Sequence, residues 1–202
     1  NIRTFDLQEE GREGPWVNYA RMETLRSPKT LAGPALGIPS LTFQSWYEAQ
    51  WGKASWEALG KIPTLTWMDY LIWYRKVLDL NIENETEVIN ITRLTHSFEI
   101  TIKHKGANQL VYARKIVLAT GREGMAEPRV PKPLKPFRGN CCKHSSEKID
   151  FQSMAGKDIG VIGISASAVD NAASALEAGA NNVFLFVRSP TIPRINKMKS
   201  AG

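Results

Sequence analysis

A run of small residues between an apolar stretch and a helical pattern has the spacing that best fits a chemical role. The apolar stretch is residues 159–162 and the helical pattern is residues 167–178. Backbone N–H groups at a tight strand-to-helix turn can face a pyrophosphate, and bulky side chains there would block its approach. We therefore predict a dinucleotide-binding turn formed by Gly163, Ile164, Ser165, Ala166, Ser167 and Ala168.

The turn departs from the usual glycine pattern at one position. Residue 165 is Ser, where a second Gly normally lets the backbone touch the phosphate. We expect this small residue to be tolerated, at the cost of a displaced or weaker pyrophosphate contact. Ala168 occupies the third position and keeps the helix close to the sheet, and further small residues on the same face are Ala172, Ala175 and Gly179.

The end of the next apolar strand indicates which dinucleotide binds. NAD sites place an acidic residue there, whereas NADP sites favour Arg. In this chain residues 183–187 are followed by Arg188 and Ser189. We predict that Arg188 pairs with a 2′-phosphate, that Ser189 donates a hydrogen bond, and that Lys197 or Lys199 adds positive potential. The alternative is that Arg188 is a surface cation beyond a strand.

Two helices are predicted after a Gly- and Pro-rich loop over residues 1–41. Thr42 caps the first helix and Gly52 ends it. Thr66 and Asp69 form an approximate capping box for the second helix. The apolar stripe of that helix comprises Trp67, Leu71, Tyr74 and Leu78, widened by Met68 and Ile72. We interpret these aromatic residues as core packing, and the alternative is the lining of a substrate tunnel.

Strand patterns follow. Alternation of apolar and polar residues from residue 86 to 113 predicts an antiparallel meander. The continuous apolar run 116–119, which ends at Thr120 and Gly121, is typical of a strand buried on both faces of a parallel sheet. Residues 127–140 form a Pro-rich connector. The elements after it form a strand, helix, strand unit in which residues 183–187 are another buried strand.

Composition excludes several classes of protein. The net charge is 26 − 20 = +6, but the basic residues are scattered, which argues against a nucleic-acid partner. Cys141 and Cys142 are adjacent, a spacing that fits neither a metal site nor a CxxC pair. The sequence has no apolar run of about 18 residues, and its first residues lack a signal-peptide pattern. We therefore expect a soluble cytoplasmic protein without a membrane partner.

Two segments together resemble the flavoprotein monooxygenases that have two dinucleotide-binding domains, namely the flavin-containing, N-hydroxylating and Baeyer–Villiger types. One is the strand end at residues 118–121 after the meander, and the other is the small-residue turn within residues 161–170. The resemblance implies an α/β fold of the Rossmann-like, three-layer FAD/NAD(P)-binding type, with a β-meander and a helical insertion. It implies a partial FAD-binding domain (residues 1–126), a linker (127–155) and a partial NADPH-binding domain (156–202).

The resemblance also implies cofactors and a reaction. NADPH reduces FAD, and the reduced flavin and O₂ place one oxygen atom into a small organic substrate. Thr120 and Gly121 are implied to lie near FAD, and an early loop is implied to run along the flavin through Trp16, Arg21, Met22 and Ser27. No catalytic side chain and no metal ligand is assigned. Residues 142–146 resemble the stretch before the second dinucleotide unit, and His144 is given no catalytic role.

The chain also departs from this family. No glycine-rich turn precedes residue 41, and the chain stops soon after Arg188. We therefore expect a piece that is incomplete at both ends, inactive by itself and unable to hold FAD firmly. Two other functions stay open: a flavin disulfide reductase, which needs a spaced Cys pair near the flavin, and a non-catalytic NADP-binding or interaction module. Homo-oligomerisation is also left open.

Overall fold

The computed structural model describes residues 2–31, 33–121 and 128–191. The chain divides into two compact units, Asn1–Glu127 and Pro128–Gly202. In the first unit, a short strand β1 (Thr4–Phe5) pairs in parallel with β2 (Ile82–Glu83). Between them lie helices α1 (Phe43–Ala58) and α2 (Thr64–Val77). No helix in the described part of the chain has the length and apolar character needed to cross a membrane.

Helix α1 begins where the sequence predicts. The Thr42 hydroxyl accepts a hydrogen bond from the Ser45 N–H at 3.2 Å, so Thr42 is the N-cap. Gly52 interrupts the helix with φ 80°, so a break occurs at the predicted position, but the helix does not end there. The helix then resumes to Ala58, beyond the predicted end, and its last carbonyls bind the Lys29 ammonium.

Helix α2 begins at Thr64, and the predicted capping box of Thr66 and Asp69 is wrong. Contacts distant in sequence fix the start: the Thr64 N–H donates to the Glu23 carbonyl at 2.9 Å, and its hydroxyl donates to the Met22 carbonyl at 2.8 Å. These bonds hold the early loop against the first turn of the helix.

The two helices share an aromatic core, which supports the packing interpretation of their aromatic stripe. Phe43 is 1% exposed, and Tyr70 is fully buried with its hydroxyl donating to the Leu41 carbonyl at 2.6 Å. Ile72, predicted to widen the buried stripe, is 44% exposed. The buried face of α2 is therefore centred on Tyr70, and Ile72 lies outside it. The rings within 6.2 Å of the Phe43 ring belong to Trp46, Tyr47, Trp56, Trp67 and Tyr70.

The predicted meander is confirmed. Strands β3 (Thr86–Arg93), β4 (Phe98–His104) and β5 (Ala107–Ala113) form an antiparallel sheet in the order β3-β4-β5. The apolar residues of the central strand, Ile100 and Ile102, are buried. A two-residue connection at positions 105–106, with positive φ at both, joins β4 to β5.

The apolar run 116–119 is not the buried strand that its composition predicts. The structure assigns it no strand, and Val117 and Leu118 are 88% and 56% exposed. A strand forms only where its N–H and C=O groups pair with a neighbour. Within residues 2–31, 33–121 and 128–191, no strand pairs with this run.

The second unit contains the predicted strand, helix, strand arrangement. Strand β6 (Asp158–Ile162), helix α3 (Ala166–Glu177) and strand β7 (Asn182–Phe186) follow one another, and the strands are parallel. The prediction that β7 is buried is wrong, because Phe184 and Phe186 are 52% and 60% exposed. Successive side chains of a strand point to opposite faces of the sheet. Helix α3 contacts β6 and β7, and a single helix covers only one of these two faces.

Candidate functional site

The turn between β6 and α3 has the backbone that the small-residue pattern predicts. Gly163 adopts φ 130°, a conformation that residues with a Cβ rarely adopt. Its N–H donates to the Phe186 carbonyl at 3.0 Å, which ties the turn to the end of β7. A Cβ at position 163 would lie 3.4 Å from the Ala168 Cβ. The turn is therefore tight, and it packs directly on the first turn of the helix.

The N-terminus of α3 follows at once and presents backbone donors. The first intrahelical bond runs from the Val169 N–H to the Ser165 carbonyl at 3.1 Å, so the N–H groups of residues 166–168 have no intrahelical acceptor. Ser165 is the N-cap, but its side chain makes no capping hydrogen bond. These free donors and the positive end of the helix dipole favour an anion.

The end of β7 lies beside this turn. Phe186 pairs with Ile162 in the parallel ladder, so both strands reach the same edge of the sheet. Arg188 is two residues farther along and exposed. Ser189 is also exposed, and its hydroxyl accepts from the Thr191 N–H at 3.3 Å. The register thus brings the turn and Arg188 to one edge. Lys197 and Lys199 lie outside the described residues.

Asn171 is a polar residue of the site that sequence reasoning missed. It is 8% exposed and lies on the buried face of α3 with Ala168, Ala172 and Ala175. Its side-chain amide donates to the Ser167 carbonyl at 2.7 Å, which reinforces the first turn of the helix. The only sequence signal is an amide within an otherwise small-residue stripe.

The early loop that was implied to run along the flavin is held by the aromatic core. The Trp16 ring lies 6.0 Å from that of Trp67, and Met22 packs against the buried cluster. Burial lowers the pKa of Arg21 from its ordinary value. Ser27 is exposed. The structure therefore places Trp16 and Met22 together on the core, and Ser27 apart from it.

Thr120 and Gly121, the other pair implied to lie near FAD, are exposed at the end of the unpaired run. Gly121 has φ 69°, in the left-handed region that favours glycine. This conformation gives a structural reason for Gly at the end of the run.

The remaining candidates show no chemical constellation. Cys141 and Cys142 are free thiols, and the described residues contain no group of His, Cys, Asp and Glu that could hold a metal ion. The His144 Nδ1 lies 2.7 Å from the Ser146 hydroxyl, and the His144 N–H donates to Glu147 at 3.2 Å. These local bonds favour a structural role for this segment.

Residues 50–201 match the family model described as pyridine nucleotide-disulphide oxidoreductase. The chain belongs to that family. The matched range includes the Gly163 turn and Arg188. It begins after the early loop, so the family match covers the proposed dinucleotide turn and leaves out Trp16, Arg21, Met22 and Ser27.

The chain is 43% identical over 200 residues to the "FAD-dependent urate hydroxylase" of Xanthomonas campestris pv. campestris. The alignment covers 98% of this chain and 42% of that protein, so the chain spans about two-fifths of the length of this relative. This similarity confirms the resemblance to flavoprotein monooxygenases that the turn and the strand end indicate.

Solved structures confirm the predicted fold class. Ornithine hydroxylase PvdA from Pseudomonas aeruginosa has a TM-score of 0.74 at 14% identity, over 93% of this chain and 47% of that chain. Bacillithiol disulfide reductase Bdr (YpdA) from Bacillus cereus has a TM-score of 0.64 at 19% identity, over 96% of this chain and 54% of that chain. One is named as a hydroxylase and the other as a disulfide reductase, so the shared fold does not distinguish these activities.

Proposed function

We propose that the Gly163 turn binds the pyrophosphate of NADP and that Arg188 binds its 2′-phosphate. The observation that carries this proposal is the hydrogen bond from the Gly163 N–H to the Phe186 carbonyl. It joins the glycine turn to the strand that leads to Arg188, so one edge of the sheet presents both N–H donors and a guanidinium. Ser189 adds a hydroxyl at the same edge.

The shape of the turn suits a phosphate. Gly163 has no Cβ, which would otherwise approach the Ala168 Cβ, and the other residues of the turn have small side chains, apart from Ile164. A phosphate oxygen can then come close to the N–H groups of residues 166–168. A guanidinium is suited to a 2′-phosphate because it offers paired donors and a permanent positive charge.

For the protein as a whole we propose an FAD- and NADPH-dependent monooxygenase. It would consume NADPH, a proton and O₂, place one oxygen atom on a small organic substrate and release the other as water. FAD supplies the oxygen chemistry when bound, and the described residues bind and orient the cofactors. The 43% identical relative is named for urate, which makes urate the first substrate to test.

For FAD, we propose binding residues in the first unit. Trp16 and Met22 are held by the aromatic core, and Arg21 contributes a partly buried positive charge on the same loop. Thr120 and Gly121 end the exposed run, and Ser27 lies on the surface. We assign the first unit to the FAD-binding domain and β6, α3 and β7 to the NADPH-binding domain. We also propose a cytoplasmic location, which the two free thiols favour.

The activity is tested on the whole protein supplied with FAD, by NADPH oxidation in air with and without urate, followed by mass spectrometry of the product formed under ¹⁸O₂. A monooxygenase acting on urate oxidises NADPH faster when urate is present and places one labelled atom in the product. Absence of label would contradict urate as the substrate, and failure of NADPH to reduce the bound FAD would contradict the proposed activity. NADPH binding without any flavin spectrum would favour the non-catalytic module, and NADPH-driven reduction of a small disulfide would favour a disulfide reductase.

A further inference from the structure

Side chains from α2 and from the chain after β2 hold the early loop at Glu13. The Arg75 guanidinium, in the last turn of α2, pairs with the Glu13 carboxylate at 2.5 Å. It also donates to the Asn84 side-chain carbonyl at 2.9 Å and to the Ile82 backbone carbonyl at 3.1 Å. The Asn84 amide donates to the same Glu13 oxygen at 2.8 Å. Arg75, Glu13 and Asn84 thus each bond the other two, and we call them the Arg75 cluster.

The Arg75 cluster is shielded from water. The side chains of Arg75 and Glu13 are 19% and 21% exposed, against 43% and 33% for the surface pair of Arg3 and Glu83. Exposed ion pairs contribute little to stability, whereas removal of one partner from a shielded pair leaves the other charge without compensation. The cluster therefore fixes the position of Glu13.

A short turn carries this position from Glu13 to Trp16. The Asn18 side-chain amide donates to the Arg12 and Gly14 carbonyls, on either side of Glu13, at 2.7 and 2.8 Å. Gly14 has φ 74°, and a Cβ there would lie 3.4 Å from the Trp16 Nε1. The turn is compact, so a shift of Glu13 also shifts the Trp16 ring.

Helix α2 supports this turn at two points. The Trp16 ring packs edge-on against that of Trp67, with centroids 6.0 Å apart. Arg75 lies farther along the same helix, roughly 12 Å from Trp67 at 1.5 Å per residue. One helix therefore holds the loop at both Trp16 and Glu13.

We infer that Arg75 is a positioning residue for FAD, because through Glu13 it fixes the Trp16 ring in the position that FAD binds. This rests on the proposed assignment of Trp16 to FAD. Arg75 acts only through the loop, so its effect on FAD should disappear when the Trp16 ring is absent. Residues that act through one network have non-additive effects.

The test measures the dissociation constant of FAD for the whole protein by flavin fluorescence, together with the visible circular dichroism of the bound flavin. Arg75→Met keeps the apolar stem and should weaken FAD about tenfold and alter the dichroism. Arg75→Lys keeps the charge but not the paired donors; it should lose part of the affinity, and it decides the question if Arg75→Met does not fold. Arg3→Met, the same change at the exposed pair with Glu83, is the matched control and should bind FAD like the wild type.

A double variant separates positioning from a general loss of stability. Trp16→Ala alone should weaken FAD, and adding Arg75→Met should cause little further loss. Wild-type affinity in both Arg75 variants, or losses that simply add in the double variant, would overturn the role of Arg75 and leave the FAD site standing. Wild-type FAD affinity in Trp16→Ala would instead contradict the assignment of Trp16 to FAD, and the role of Arg75 with it.

Discussion

Replacing Gly163 by Ala tests whether the turn depends on its unusual backbone. The new Cβ would lie 3.4 Å from the Ala168 Cβ, which is close to ordinary van der Waals contact and contributes little. The φ of 130° is the larger problem, because an L-residue held there costs about 1–3 kcal/mol. At about 1.4 kcal/mol per tenfold change, the opening equilibrium of the turn should rise roughly 5- to 150-fold.

Hydrogen exchange followed by mass spectrometry is the appropriate assay. It follows the backbone amides of β6 and α3 directly, whereas all six tryptophans lie at or before residue 73. Peptides that cover residues 158–186 should exchange faster in Gly163→Ala by the factor given above. Gly60→Ala is the control, because Gly60 has no positive φ and nothing within 4 Å of an added Cβ. Wild-type exchange in Gly163→Ala would refute the claim that this backbone requires glycine.

Two further predictions concern the first unit, which contains the aromatic core. Lys29 donates to the Trp56 and Leu59 carbonyls at 2.5 and 2.6 Å. Lys29→Met keeps the apolar stem but leaves these helix-end carbonyls without the ammonium, so the free energy of unfolding measured in urea should fall by about 1–3 kcal/mol. An unchanged free energy of unfolding would contradict this role of Lys29. Burial raises the pKa of Tyr70 to about 12 from 10.0, with a smaller contribution from Tyr74. The Tyr70 hydroxyl therefore loses its proton at a lower pH in the unfolded state than in the folded state, and the free energy of unfolding should fall as the pH rises from 10 to 12. Tyr70→Phe should reduce this pH dependence. An equally steep fall in that variant would assign the pH dependence to other groups.

Local patterns predicted a large part of the fold. The Thr42 cap, the Gly52 break, the meander and the strand, helix, strand unit each depend on neighbours in sequence, and the structure confirms them. The errors concern contacts that sequence does not contain. The start of α2 is set by bonds from Thr64 to the early loop, and residues 116–119 need a neighbouring strand to become one.

The candidate site divides in the same way. The glycine at 163 could be predicted, because a tight turn needs a backbone that only glycine adopts easily. The uncapped state of Ser165 could not, since a serine before a helix normally caps it. Asn171 was missed because its bond to the Ser167 carbonyl depends on a side-chain orientation that spacing alone does not give.

The central claim is that one sheet edge binds the pyrophosphate at the Gly163 turn and the 2′-phosphate at Arg188. The most direct measurement is the calorimetric affinity of wild type and Arg188→Ala for NADPH and NADH. We predict that the substitution weakens NADPH by about tenfold to a hundredfold, as expected for the loss of a charge-assisted pair, and leaves NADH nearly unchanged. Equal losses for the two dinucleotides, or no loss for either, would contradict the claim.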